Sequence, residues 1–261
     1  SLEQGGRFYG AWWQSIPSEY RPLISLNGDY VVELDYSTIH MHLLYALSKA
    51  TCPLDDHYVF GRLTRDFRSQ TKKMMNILGA IGVPSERGAV EPIFAEYVTE
   101  RISIDSEGAT DTIATGSVIP NDKRDPFNID VQKDYRSKAP ASELNFPLFV
   151  CQKDGQNLYV VPVVGKGLWG PIWGFVALES DMETIYGAVF DHKTETPGLG
   201  AEIKDVPFQE KFNRPDDVKK IRDVAPHFAV VKSGLPTDEY SVDGITGGTI
   251  TSKGVGEMVD R

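Results

Sequence analysis

The sequence predicts an α+β fold, a largely antiparallel sheet with packed helices, and three observations predict it. Between residues 145 and 192 lie four short runs rich in valine, isoleucine and aromatic residues, joined by tight turns. Upstream, 67–81 and 89–101 carry their apolar residues on one helical face. Ahead of both, residues 1–69 differ in texture and read as a separate small α/β piece.

In chain order, GGRFYGAWWQSIP is aromatic- and glycine-rich and reads as irregular packed loop. YVVEL at 30–34 is a short apolar strand ending at Asp35. Ser37 then caps a helix, STIHMHLLYALSK, in which Ile39, Leu43, Ala46 and Leu47 recur at helical spacing. A second helix over 67–81 places Phe67, Met74, Leu78 and Ile81 mainly on one face and stops at Gly82-Val83-Pro84. A third over 89–101 aligns Ile93, Phe94, Tyr97 and Val98. Residues 103–143 are polar, proline-containing and weakly periodic, and read as loop-rich connection. NFPLFVCQ, LYVVPVV, IWGFVALE and TIYGAVFDH are the four strands, with KDGQN a hairpin signal and SDME joining the last two. Connections this short force antiparallel pairing, because a parallel crossover needs a dozen residues or more. HFAVVKS at 227–233 is a further strand, and SKGVGEMVDR begins a closing helix.

A net charge of -10 disfavours nucleic acid and anionic membrane surfaces, which would repel the chain at long range. Cys52 and Cys151 form no metal-spaced motif and read as buried free thiols rather than a disulfide. No run approaches the ~20 apolar residues of a membrane span. No basic-then-apolar leader opens the chain. A soluble chain without a membrane anchor is the expectation.

Three stretches could carry chemistry. In GKGLWGPIWGFVALE, Trp169 and Trp173 either fill the core beside close-packing glycines or form an aromatic wall for a planar ligand. In DHKTETPGLGAEI, Thr196-Pro197-Gly198 fits a turn, and Gly198 and Gly200 leave backbone N–H groups uncovered for a ring edge or an oxyanion. Asp191, His192 and Glu195 crowd the same loop, in a pattern that does not suit a metal. In VDGITGGTITSKGV, Asp243-Gly244 and Gly247-Gly248 make turns and Thr251 or Ser252 caps the last helix, or one hydroxyl is chemically used. No phosphate-loop spacing is present. No base adjoins these hydroxyls, so another protein would have to activate one.

Together, in this order and at these intervals, the three stretches resemble the C subunit of the sodium-translocating NADH:quinone oxidoreductases over about 70–261. The related Rnf-type family shares the ETPGLG and terminal hydroxyl motifs, whereas GLWGPIWG is more similar to the quinone reductase member. The resemblance implies an electron-transfer subunit whose FMN is held covalently, by a phosphoester to Thr249 that a separate flavin transferase installs. It implies a helical and loop-rich region over 70–143, an FMN-binding domain over 144–261, and no complete active site in this chain alone. The family's attachment motif maps onto Asp243, Gly244, Ile245, Thr246, Gly247, Gly248 and Thr249, with Gly248 where alanine is usual. By the same resemblance Glu195, Thr196, Gly198, Leu199, Gly200, Trp169, Gly170 and Thr251 join the cofactor site, with no metal. The implied partners are the other subunits of an inner-membrane redox complex, with this domain on the periplasmic side.

Family members begin with a hydrophobic anchor helix, for which this chain has residues 1–69 instead. There DYSTIHMHLLYALS, at 35–48, is similar to motif A of family A DNA polymerases, in which such an aspartate holds Mg²⁺. The alternative reading is therefore a nucleic-acid polymerase-like fragment using Asp35 as a metal ligand. It lacks the second carboxylate cluster that two-metal phosphoryl transfer requires, and 1–69 reads as a fragment foreign to the rest.

Overall fold

The structure, a computed structural model, describes residues 25–26, 29–30, 65–137, 139–213 and 216–260. The chain divides into two compact units, 1–64 and 65–261. In the first, β1 (Ser25–Leu26) and β2 (Asp29–Tyr30) pair antiparallel. The rest of the strand expected at 30–34, the helix after Ser37, Asp35 and Cys52 lie outside the described residues.

The second unit is built on a seven-stranded antiparallel sheet of order β4-β3-β5-β6-β7-β8-β9. Its strands are β3 (Val98–Ile104), β4 (Thr110–Thr115), β5 (Phe146–Lys153), β6 (Gln156–Lys166), β7 (Pro171–Leu178), β8 (Thr184–His192) and β9 (Lys219–Lys220). The α+β class and the largely antiparallel sheet are as the sequence predicts. The β5–β6 hairpin turns on Asp154 and Gly155, both with positive φ. That is the primed two-residue turn whose twist matches that of the flanking strands.

One face of the sheet packs under α1 (Arg65–Ala80) and α2 (Val90–Tyr97), with Ile77, Leu78, Ile81, Phe94, Phe149, Val160 and Phe175 in the core. Edge-to-face phenylalanines run through it from Phe94 to Phe127, Phe149 and Phe175. Gly187 lets α1 settle closely, since a Cβ there would stand 2.5 Å from the Ala80 carbonyl oxygen. The other face gathers Ile172, Val176, Phe190, Phe208, Phe212, Phe228, Val255 and Met258 beneath the closing helix and short helical turns. Each side chain fully buried in these layers contributes about 1.5–3 kcal/mol of transfer free energy.

Three expectations about elements change. The third helix stops at Tyr97 and the chain continues directly into β3, so 98–101 is strand and not helix. The loop-rich region 103–143 contains the end of β3 and all of β4. β3 looks polar because Arg101 points inward and is neutralised by Asp125, a pairing that no local pattern announces, and β4 because it is the mostly exposed edge of the sheet. After α3 (Val131–Ser137), α4 (Val206–Gln209), β10 (Ala229–Val231) and β11 (Ser241–Asp243), the closing helix, α5, runs over Thr249–Val259. Its N-cap is Gly248, with no side-chain cap hydrogen bond, in place of the expected Thr251 or Ser252. Those two hydroxyls turn inward instead. Cys151 is a buried free thiol. Among the described residues no helix is long and apolar enough to cross a membrane.

Candidate cofactor site

The three motif stretches, far apart in sequence, meet at one end of the sheet. The first is the β6–β7 turn, closed by the Gly167 N–H donating to the Gly170 carbonyl at 2.8 Å. The second is the loop after β8. There the Leu199 N–H donates to the Thr196 carbonyl at 3.1 Å across Pro197 and Gly198, whose φ is +77°. Proline at the second position and a left-handed glycine at the third make this a type II turn. The third stretch runs from β11 into α5.

Glu195 joins all three. Its side chain is buried, and its Oε1 accepts the N–H groups of Trp169 (2.8 Å) and Gly170 (3.2 Å). Its Oε2 accepts the Thr251 hydroxyl at 2.5 Å. A buried carboxylate is tolerable only when its oxygens are supplied with donors, and here both are. The glycines around it are packing requirements. A Cβ on Gly167 would stand 2.6 Å from Glu195 Oε1, and one on Gly200 2.7 Å from Oε2. Leu199 lies over the Gly247-Gly248 pair, where a Cβ on Gly247 would come within 2.6 Å of its Cδ2.

The segment 243–252 uses its polar groups in distinct ways. Asp243 accepts from the Gly234 N–H at 2.8 Å and forms an ion pair with Lys211 at 3.3 Å. Thr246 exchanges a hydrogen bond with Ser233 at 2.8 Å. Ser252 accepts the Ile245 N–H at 3.0 Å from inside the fold. Thr251 is bound to Glu195. Thr249 is exposed and stands as the first residue of α5, and among the described residues none hydrogen-bonds its side chain. At the same end of the sheet Leu168 and Trp169 on the β6–β7 turn, Leu199, and Ile250 next to Thr249 are all exposed. Trp169, at 64% exposure, is therefore no core residue, while Trp173 is half-buried.

The structure thus brings Glu195, Gly200, Trp169, Gly170, Thr251, Leu199, Gly247, Gly248 and Thr249 into one neighbourhood. Thr196 and Gly198 form its exposed rim, while Asp243 and Thr246 fasten the segment to the 232–235 turn. Lys211 and Ser233, which hold those two residues, carry no sequence signal of their own. Asp191 pairs with Lys72 at 2.5 Å, and His192 Nδ1 accepts the Glu195 N–H at 3.2 Å. Both stand at the end of β8, and the buried His192 Nε2 has no hydrogen-bond partner among the described residues.

The family described as FMN-binding domain matches residues 167–261, from the β6–β7 turn through α5, and so contains the whole of this site. The C subunit of a Na(+)-translocating NADH-quinone reductase from Vibrio anguillarum is 32% identical over 198 residues, spanning 72% of this chain and 74% of that protein. Its counterpart from Haemophilus ducreyi is 31% identical over 207 residues, spanning 74% and 76%. The crystal structure of the same reductase component from Parabacteroides distasonis superposes with a TM-score of 0.64 at 37% identity, covering 77% of this chain and 92% of that one. That of Shewanella oneidensis NqrC gives 0.59 at 25% identity, covering 74% and 91%. The chain belongs to the family formed by the C subunits of Na(+)-translocating NADH-quinone reductases. Neither the family match nor these relatives support the polymerase-like alternative, and Asp35 lies outside the described residues.

Proposed function

We propose that this chain is an electron-transfer subunit that carries FMN covalently, through a phosphoester to Thr249. One observation carries the reading. Of the four hydroxyls between 246 and 252, three are held by Ser233, Glu195 and the Ile245 N–H, and that of Thr249 is exposed and unengaged among the described residues.

The surroundings suit the group. The first turn of a helix has N–H groups without intrahelical partners, and its dipole favours an anion. No side chain caps α5, so a phosphate on its first residue would lie where those donors are open. Leu168, Trp169, Leu199 and Ile250 offer apolar surface for a flat ring. Bound FMN would supply the redox chemistry, and the protein its placement and electrostatics. The phosphoester fixes the flavin to α5 so that it is not lost between electron transfers.

A separate flavin transferase makes the link, because no base adjoins Thr249 among the described residues. The Oγ1–P bond forms as the phosphoanhydride bond of a flavin dinucleotide breaks, the second phosphate leaves with its nucleoside, and the hydroxyl proton passes to the transferase. The loaded domain, within 144–261 and supported by 70–143, works beside the other subunits of a sodium-translocating membrane complex, on its periplasmic side.

Co-production with a flavin transferase tests this by intact mass and peptide mapping. Wild-type chain should gain FMN less water at position 249, resistant to denaturation, and Thr249→Val should stay colourless. An unmodified wild type in the presence of active transferase, or a yellow Thr249→Val protein, overturns the reading.

A further inference from the structure

We infer that Glu195 is a positioning residue for the modification of Thr249, a clamp that sets the first turn of α5 and withdraws Thr251 from competition. This rests on the reading that Thr249 receives the flavin phosphate.

Glu195 reaches the helix through Thr251, two residues beyond Thr249 and roughly 200° further around the helix. The bond therefore fixes the rotation of α5 such that residue 251 faces inward and 249 outward. The other carboxylate oxygen holds the N–H groups of Trp169 and Gly170, so the turn bearing the exposed Trp169 is set against the same reference point. One carboxylate thus fixes the distance between the acceptor hydroxyl and the apolar surface beside it.

Gly167 and Gly200 serve the clamp rather than the ligand, because a Cβ on either would occupy the space of the Glu195 carboxylate oxygens. Burying this carboxylate is unfavourable unless its donors stay in place. The three donors come from two separate segments, the β6–β7 turn and α5. Thr251 is meanwhile buried with its proton committed, so a transferase meets a single free hydroxyl in the TIT sequence.

The experiment uses the full chain with purified flavin transferase and flavin adenine dinucleotide. It reads the initial rate of flavin incorporation, the labelled position by peptide mapping, and the thermal midpoint. Glu195→Ala is expected to slow labelling about tenfold or more, the scale on which misplacing a reacting group acts. Glu195→Gln keeps an acceptor for the two N–H groups and a polar contact to Thr251, and should restore the rate to within about threefold, on the scale of one neutral hydrogen bond. Thr251→Val removes the bond while preserving shape and should slow labelling as Glu195→Ala does; it decides the matter if the alanine variant does not fold.

Wild-type labelling at 249 with folded Glu195→Ala or Thr251→Val proteins labelled at the same rate overturns the clamp and leaves the flavin reading standing. A folded Glu195→Gln as slow as the alanine variant also overturns it, since charge and not position would then be at work. A wild-type chain that takes no flavin removes both.

Discussion

Gly198 and Gly200 are two residues apart and face opposite constraints. Gly198 has φ +77° and open space where a Cβ would go. Gly200 has ordinary backbone, but a Cβ would intrude on Glu195 Oε2 and on the Thr251 hydroxyl. Gly198→Ala therefore suffers only the left-handed backbone penalty of about 1–2 kcal/mol. Gly200→Ala must push apart a buried hydrogen bond, an overpacking cost of about 1–3 kcal/mol, to which the loss of the charged hydrogen bond adds roughly 1.5–3 kcal/mol. Urea denaturation of the two variants should place Gly200→Ala clearly below Gly198→Ala; the reverse order would mean that Glu195 does not occupy this space. For the same reason Gly200→Ala should slow flavin incorporation at Thr249 and Gly198→Ala should not abolish it. A glycine pattern read from sequence as room for a cofactor is, at position 200, room for a side chain of the protein itself.

At the scale of elements, the most exacting arrangement outside the candidate site is the fastening of β3 to the segment at 125–129. The Arg101 guanidinium meets Asp125 through two buried bonds of 2.8 Å and donates to the carbonyl of Gly116, nearer the surface, at 2.7 Å. Asp125 also accepts the Phe127 N–H at 2.9 Å, which starts the short turn that places Phe127 between Phe94 and Phe149. Asp125→Ala leaves a buried guanidinium unpaired and should lower unfolding free energy by about 3–5 kcal/mol. A loss below about 1 kcal/mol, typical of a solvent-exposed pair, would refute that account. This pair also shows why the sequence discloses its central strands and hides its edge. β5 to β8 carry valine, isoleucine and aromatic residues between unmistakable turns, and Asp154-Gly155 states its hairpin in two letters. VTERISI looks polar because the charge that β3 buries is answered 24 residues later, and TDTIAT because it is the exposed edge of the sheet. The candidate site divides the same way. The turn at 196–199 follows from local turn chemistry and Thr249 is pointed to by the family resemblance, whereas the link from Glu195 to Thr251 spans 56 residues and exists only once the sheet has folded.

Across the whole molecule, alkaline stability tests how the α1 face is built. The Lys73 ammonium donates to the carbonyls of Phe127 (2.5 Å) and Ile129 (3.0 Å). Removal from water lowers its pKa from 10.5 to about 8, an effect that Asp130 and Asp125 partly offset. On the same face, burial pushes the Cys151 thiol up from 9.0 to about 12. Stability rises with pH wherever the unfolded chain binds more protons. Between pH 8 and 10.5 the unfolded chain keeps a lysine proton that the folded one has shed, so Lys73 makes stability rise. Between pH 9 and 12 the unfolded chain loses a thiol proton that the folded one retains, so Cys151 makes it fall. Together they give a climb from pH 8 to 9, opposed slopes to 10.5, and a decline beyond. Urea midpoints compared at each pH isolate the two groups: Lys73→Met should lose the climb and Cys151→Val the decline, whatever each does to stability at neutral pH. Parallel profiles for wild type and Lys73→Met would show that the ammonium is as well solvated in the folded chain as in the unfolded one. Because α5 packs into the opposite face, neither variant should alter the rate at which Thr249 takes flavin. A change there would mean that the two faces are coupled through the sheet.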